Sequence, residues 1–182
     1  MLNYAIGGSN MSKSSDEKKV LLNATLCLLV RDNQVLLAKK TRKIGAGFWN
    51  GYGGGIDNGE SARTAACREL REEAVVTASE CDLSEVARID FHNHKADGGQ
   101  FVCRMHVFLL EQWVGEPKPT EEMVTPTWFP FENIPFGELM LADRHWLPRV
   151  LAGCLIVARA EYGPRQEFLI GDVEIKQVDT LP

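Results

Sequence analysis

The order of apolar and polar positions along the chain predicts strands interleaved with two helices. Runs with the alternation of a strand occupy the segments 23–30, 34–40, 82–93, 100–113, 124–130, 155–162 and 167–177. Asp32-Asn33, the segment 95–99 and Gly163-Pro164 are typical of the turns between such strands. Helical spacing predicts one helix from near Ser61 to near Ala74 and a second over 143–152. These elements indicate an α/β layered fold in a single domain.

The first helix follows a glycine-rich segment and carries an unusual set of carboxylates. Residues 54–76 read GGIDNGESARTAACRELREEAVV. At about 100° per residue, small and apolar side chains form an inward stripe, which consists of Ala62, Ala65, Ala66 and Leu70. Glu69 and Glu73 continue that stripe, and Glu72 lies beside Ala65. The helix is therefore expected to turn three carboxylates towards a semi-buried place.

Three neighbouring carboxylates repel one another, and burying unpaired charge is costly. A divalent cation is the simplest neutraliser, because carboxylate oxygens are hard ligands suited to Mg²⁺ or Mn²⁺. The alternative is an ordinary acidic helix in which Arg68 and Glu72 form an i,i+4 pair. The glycine segment directly before the helix favours the metal site, since glycines let a backbone approach a ligand closely.

Composition narrows the possible functions. The chain has 182 residues, of which 45% are hydrophobic and 25% charged, as expected for a globular domain with a real core. A net charge of −5 argues against a nucleic-acid polymer or a membrane surface as partner. The five cysteines are scattered without CxxC spacing, which favours free thiols in a reducing cytoplasm. Residues 7–19 are polar. Residues 1–18 are predicted to be a flexible extension, with the domain at 19–182. The sequence is silent on oligomeric state, and a monomer is the default expectation.

The central stretch resembles the Nudix box, whose pattern is G-x5-E-x7-R-E-U-x-E-E-x-G-U with U aliphatic. Matching positions are Gly54, Glu60, Arg68, Glu69, Leu70, Glu72, Glu73 and Val76. Val75 departs from the pattern, because it stands where a glycine with positive φ would end the helix. We therefore expect the helix to end differently here or to run further. The resemblance implies a mixed β-sheet sandwiched between helices.

The resemblance also implies hydrolysis of a nucleoside diphosphate linked to another group. Mg²⁺, with Mn²⁺ as an alternative, would neutralise the phosphates and help to activate water. Glu73 is the first choice of metal ligand, with Glu69 beside it, and Glu72 is either a further ligand or the base. Arg68 would hold one of these carboxylates by a charge-assisted bond. The Gly53 carbonyl and Glu122 would complete the metal site.

Flanking stretches resemble the MutT-like group that hydrolyses oxidised purine nucleoside triphosphates. They include VLLAKK at 35–40, GAG-x-WNG-x-GG at 45–54, HVF at 106–108 and IPF at 134–136. By position, Lys39 would reach a phosphate, and the base pocket would contain Thr25, Asn50, Phe91, Asp143 and Trp146. Further substrate contacts are expected from the glycine segment and the pocket wall, at Tyr52, Gly53, Gly54, Gly55 and Met140. Taken alone, Phe91 and Trp146 suit a core, Lys39 a solvated strand end and Asp143 a helix N-cap.

The pocket departs from that group at three positions. Met140 stands where the group has a tryptophan that stacks on the purine, Ala142 replaces an acidic residue, and Ile44 replaces a phenylalanine. The expected substrate is an oxidised purine nucleoside triphosphate such as 8-oxo-dGTP or 2-hydroxy-dATP, cleaved to the monophosphate and pyrophosphate. Alternatives are a dinucleotide polyphosphate, a nucleotide sugar or an ordinary dNTP, and a non-catalytic nucleotide-binding module.

Overall fold

The structure is a computed structural model that describes residues 20–182. The extension predicted at 1–18 and the domain start at residue 19 lie outside the described residues, so both stay predictions. Residues 20–182 form eight strands: β1 (Val20–Arg31), β2 (Gln34–Lys40), β3 (Trp49–Asn50), β4 (Leu83–His94), β5 (Gln100–Leu110), β6 (Met123–Pro130), β7 (Ile156–Tyr162) and β8 (Glu174–Gln177). The α-helices are α1 (Ala62–Glu73) and α2 (Asp143–Leu151).

All eight strands belong to one mixed sheet. Its order is β3-β2-β1-β5-β4-β7-β8, and β6 pairs with β2 beside this path. The β1–β5 and β4–β7 pairs are parallel, and the others are antiparallel. Asp32 and Asn33, at the β1–β2 turn, have φ of 50° and 57°, as a tight hairpin of this type requires.

The sheet is covered on both faces, as the Nudix resemblance implied. On one face, α1 buries Ala66 and Leu70 against a core that includes Leu36, Ala38 and other apolar strand residues. On the other, α2 buries Trp146, Leu147 and Val150 against a second core. The predicted sheet between helices is therefore confirmed. Within the described residues, no helix is long and apolar enough to span a membrane.

Helix α1 has the predicted limits. Ser61 is its N-cap, and the Ser61 hydroxyl accepts the Thr64 N–H at 3.0 Å. A cap of this kind typically stabilises a helix by about 1 kcal/mol. Ala74 is the C-cap, and its N–H donates to the Leu70 carbonyl at 3.0 Å.

Val75 adopts the backbone conformation of the glycine that it replaces. Its φ is 61°, so the helix ends as the Nudix pattern requires, and the expectation that it would end differently or run further is wrong. The left-handed conformation costs a residue with a Cβ about 1–2 kcal/mol. The Val75 side chain is 49% exposed and does not collide with the core, while Val76, the next residue, is buried. Burial of Val76 outweighs the strain at Val75.

The final hairpin differs from its prediction. Its second strand is only β8, and residues 163–173 form a connection that contains a short 3₁₀ turn at Pro164–Gln166. A single bridge between Tyr162 and Leu169 replaces the predicted strand pairing from residue 167. Proline and the two left-handed residues after it interrupt the ladder here.

Candidate active site

A glycine segment between β3 and α1 is fixed against β1 by backbone hydrogen bonds. The Thr25 N–H donates to the Gly54 carbonyl at 2.9 Å, and the Tyr52 N–H donates to the Cys27 carbonyl at 2.9 Å. A Cβ at Gly53 would collide with the Thr25 carbonyl, and one at Gly54 with the Glu69 carboxylate. These two glycines therefore let the segment lie between β1 and the carboxylates of α1.

Glu73 is the most deeply buried carboxylate of α1. It is 5% exposed, and its Oε2 accepts the Gly53 N–H at 2.8 Å. Burial raises the pKa of Glu73, while the ammonium of Lys40 and the Gly53 amide act in the opposite direction. Lys40 Nζ lies 3.5 Å from Glu73 Oε1. The site thus holds a carboxylate whose ionised form depends on nearby positive charge.

Glu122 is a second carboxylate beside Lys40. Lys40 Nζ is 3.5 Å from Glu122 Oε1, so one ammonium contacts both Glu73 and Glu122. Arg42 Nε donates to Glu122 Oε2 at 2.7 Å, and Lys43 Nζ lies 3.3 Å from Glu122 Oε1. Burial opposes ionisation, but the hydrogen bonds from Arg42 and Lys43 hold the pKa of Glu122 below its ordinary value.

Arg68 links the glycine segment to the carboxylates. It donates to both oxygens of Glu60, at 3.1 and 3.0 Å, to Glu69 at 2.7 Å and to the Gly55 carbonyl at 2.9 Å. Hydrogen bonds from Arg68 lower the pKa of Glu60. With all these acceptors, Arg68 is placed to position Glu69 and the loop.

Glu72 does not share the enclosed place of Glu69 and Glu73. Its side chain is 60% exposed and lies 3.5 Å from Arg68, as the i,i+4 pair of the acidic-helix alternative. The prediction that all three carboxylates turn to one semi-buried place therefore holds for Glu69 and Glu73 only. Consecutive side chains on an α-helix point in directions about 100° apart, so Glu72 and Glu73 cannot both point under the glycine segment.

The donor set fits a hard divalent cation. Glu69, Glu73 and Glu122 are carboxylates whose side chains are each at most 12% exposed, and Glu122 Oε1 is buried without a hydrogen bond. Among residues 20–182, however, no three His, Cys, Asp or Glu side chains are already grouped for metal binding. The carboxylates instead face Arg68, Lys40 and Arg42, which neutralise them.

On the other face of the sheet, a largely apolar cavity contains five of the predicted pocket residues. They are Asn50, Phe91, Met140, Asp143 and Trp146. Ile44 also lines the cavity, and the Ala142 N–H donates to the Tyr162 hydroxyl at 2.9 Å beneath it. Asn50 lines this cavity, and Gly53, three residues later, donates its N–H to Glu73. Three residues of extended chain span about 10 Å.

Asp143 is the acidic group of the cavity. It is the first residue of α2 rather than its N-cap, which is Ala142. Its Oδ1 accepts the indole N–H of Trp146 at 3.0 Å, and burial raises the pKa of Asp143 to about 7. Near neutral pH the carboxyl group is therefore available both as a hydrogen-bond donor and as an acceptor.

Comparison with known proteins gives the family. The NUDIX domain model matches residues 20–150. The oxidized purine nucleoside triphosphate hydrolase of Danio rerio is 38% identical over 127 residues, which are 70% of this chain and 78% of that protein. The chain is a Nudix hydrolase.

The mouse protein of the same name is 37% identical over 127 residues, again 70% of this chain and 78% of its own length. The crystal structure of a MutT Nudix hydrolase from Burkholderia pseudomallei is 28% identical, with a TM-score of 0.55 over 64% of this chain and 88% of that one. A MutT protein from Bacillus halodurans, 23% identical, shares the fold with a TM-score of 0.69 over 85% of this chain and 97% of that one.

Three further residues predicted to contact substrate do not line the cavity of this Nudix hydrolase. Lys39 is paired with Glu138 at 2.6 Å, with its ammonium 4.9 Å from the centre of the Trp49 ring. Tyr52 is 0% exposed in the core beside α1. Thr25 is also buried and does not line the cavity, because it alternates along β1 with Leu26, which does.

Sequence reasoning missed Lys40, whose ammonium lies 3.5 Å from both Glu73 and Glu122. Strand alternation could have found it, because Lys40 shares its face with Leu36 and Ala38, which pack in the core beside α1. It also missed several lining residues of the cavity, namely Leu26, Asn93, Cys103, Met105, Tyr162 and Gln166. Gln166 comes from the connection after β7, where a turn was predicted at Gly163-Pro164 but no contact with the cavity was.

Proposed function

We propose that this Nudix hydrolase cleaves purine nucleoside triphosphates, including oxidised forms such as 8-oxo-dGTP and 2-hydroxy-dATP, to the monophosphate and pyrophosphate in a Mg²⁺-dependent reaction. The observation that carries the proposal is the continuous segment 50–53, which joins the cavity to the buried carboxylates. Asn50 lies in the cavity, and Gly53 hydrogen-bonds Glu73. A base in the cavity would thus have its phosphates within reach of Lys40 and the glutamates.

In this proposal, Glu69, Glu73, Glu122 and the Gly53 carbonyl hold the cation. Bound there, Mg²⁺, or Mn²⁺ in its place, would neutralise phosphate charge and lower the pKa of a bound water. Lys40 would bind a phosphate oxygen, and Arg68 would keep Glu69 and the loop in position. Glu72, which is exposed, remains available as a further ligand or as the base.

The bond changes are those of a hydrolysis. The water oxygen forms a bond to one phosphorus of the anhydride between the α- and β-phosphates, and the bond from that phosphorus to the bridging oxygen breaks. A glutamate takes the proton of the water, and the products are the nucleoside monophosphate and pyrophosphate.

In the cavity, Asn50 and Asp143 would read the base edge. An amide donates and accepts, and a carboxyl group with a pKa of about 7 is able to do both near neutral pH. The oxidized purine nucleoside triphosphate hydrolases at 37–38% identity support this base class by name.

We propose a role in removing oxidised nucleotides from the nucleotide pool and thus in DNA repair. A reducing, cytoplasmic setting is supported by five free cysteines among the described residues.

A second candidate substrate is another nucleoside diphosphate derivative, such as a dinucleotide polyphosphate. Met140 and Ala142 favour it, because the cavity lacks a tryptophan and a second acid at these positions. Losing a stacking face costs about 1–3 kcal/mol per base, and losing a polar partner weakens discrimination strongly.

The test is kcat/KM for 8-oxo-dGTP, 2-hydroxy-dATP, dGTP and a dinucleotide polyphosphate, each with and without Mg²⁺. Preference for the oxidised purines supports the proposal. A flat profile or preference for the dinucleotide favours the second candidate. Absence of metal-dependent turnover on all four would contradict both.

A further inference from the structure

Two side-chain amides form a pair in the wall of the cavity, and neither was anticipated from the family pattern. Gln166 Nε2 donates to Asn93 Oδ1 at 2.8 Å, and Asn93 Nδ2 donates to the Phe91 carbonyl at 2.9 Å. Both residues line the cavity, and Asn93 is 3% exposed. Both polar atoms of the Asn93 side chain thus have hydrogen-bond partners, which fix its orientation. The Asn93 oxygen in turn holds the Gln166 side chain in place.

The backbone that carries Gln166 is held in a rare conformation. Arg165 and Gln166 have φ of 57° and 61°, consecutive left-handed values at residues with side chains. Such strain persists only where surrounding contacts maintain it, and it often marks a functional position. The Gly163 N–H donates to the Phe168 carbonyl at 3.0 Å, and the Phe168 ring fills the space that a Cβ of Gly163 would need. This closed turn places Gln166 in the cavity wall.

The amide pair lies across the cavity floor from Asn50. The strands β1, β5 and β4 are neighbours in that order, and Asn93 is on β4. The segment of Asn50 continues beside β1, where Tyr52 forms a bridge with Cys27. At about 4.8 Å per strand, at least ~10 Å of floor separates Asn50 from Asn93. The cavity side chains on β1 and β5, Leu26 and Met105, are apolar.

We propose that Gln166, held by Asn93, is a specificity-determining residue that hydrogen-bonds the far edge of a bound purine. A purine has two fused rings and reaches further across this floor than the single ring of a pyrimidine. The pair of amides therefore selects purines over pyrimidines. The inference rests on the proposed function in taking the cavity as the base site.

The test measures dissociation constants of dGMP, 8-oxo-dGMP and dCMP by calorimetry, on the full chain without metal. The wild type should bind the purines more tightly than dCMP. Gln166→Met keeps the length of the side chain and removes the amide. It should lower the purine-to-pyrimidine affinity ratio about three- to tenfold, the usual effect of one hydrogen bond. Gln112→Met, at an exposed position away from the cavity, is the matched control and should leave the ratio unchanged.

Asn93 is a positioning residue in this scheme. Asn93→Leu should lower the same ratio, and the double variant should lose no more than the larger single effect, because the two residues act as one unit. Gln166→Glu is a second variant of similar size without the amide donor, and thermal melts check that each variant is folded.

The inference would be overturned by an unchanged ratio in folded Gln166→Met, by equal weakening of purines and dCMP, or by a wild type without purine preference. Mg²⁺-dependent turnover of triphosphates by the wild type tests the proposed function separately. The two hypotheses can therefore fail separately. Selective binding of monophosphates without turnover would contradict the proposed function, and turnover without base selectivity would contradict the inference.

Discussion

Glu73 and Gly53 are twenty positions apart, and a hydrogen bond of 2.8 Å joins the Gly53 amide to the Glu73 carboxylate. This contact fixes the last turn of α1 under the glycine segment. It uses one oxygen of Glu73 and leaves the other facing Lys40 at 3.5 Å. The geometry of the carboxylates is therefore set by the loop as much as by the helix.

Glu73→Gln should remove most of the hydrolytic activity while the fold persists. An amide oxygen still accepts the Gly53 N–H, but it lacks the negative charge and basicity of the carboxylate. We expect kcat/KM to fall about 10²- to 10⁴-fold, the range for a positioned acid–base group. Circular dichroism and thermal melting check the fold. Glu116→Gln, at an exposed site, is the control, and near-normal turnover of Glu73→Gln would contradict the assignment.

Lys40→Gln should impair the enzyme far more than Lys39→Gln. Lys40 is buried between two carboxylates, and removing one partner of a buried ion pair is strongly destabilising. Lys39 forms an exposed pair with Glu138, worth about 0–1 kcal/mol. We expect Lys40→Gln to raise KM for the triphosphate and lower the melting temperature, with little change for Lys39→Gln. The opposite order of effects on KM would restore Lys39 as the phosphate residue.

Val75→Gly should stabilise the protein. Glycine relieves a left-handed strain of about 1–2 kcal/mol but loses more conformational freedom on folding, at about 0.5–1 kcal/mol. The net gain in unfolding free energy is about 1 kcal/mol, or a rise in Tm of about 2–4 °C. Val114 is also exposed, has no positive φ and forms a bridge with Thr77. Val114→Gly should therefore be destabilising, and a lower Tm for Val75→Gly would refute the strain argument.

Asp143 should make the protein less stable as pH rises towards neutrality. Its pKa is about 7 in the folded protein against an ordinary value of 3.8, so the folded state binds the proton more tightly. The resulting stability is fully present below pH 3.8 and is lost as pH rises through about 7. In urea unfolding at several pH values, Asp143→Asn should show a smaller decline over this window than the wild type. Asp172→Asn, at an exposed site, should decline as the wild type does.

Local sequence was sufficient for the elements that depend on local interactions. The N-cap at Ser61, the helix over 62–73 and the turn at Asp32-Asn33 follow from capping chemistry, period and turn residues. The sheet between two helices followed from the family resemblance of the box at 54–76. The backbone conformation of Val75, just after the helix, was predicted wrongly, because the cost of a positive φ at a β-branched residue was given more weight than the burial of its neighbour Val76.

The sequence by itself thus determined the family, the helix that carries the glutamates and the presence of Asn50 and Asp143. Only the tertiary structure decided which charges meet. Lys40 and Lys39 are adjacent in sequence but lie on opposite faces of β2, so the face that α1 covers selects between them. Gln166 reaches Asn93 across 73 positions through an irregular turn. Contacts of this kind depend on sheet order and loop closure, which leave no periodic pattern in the chain.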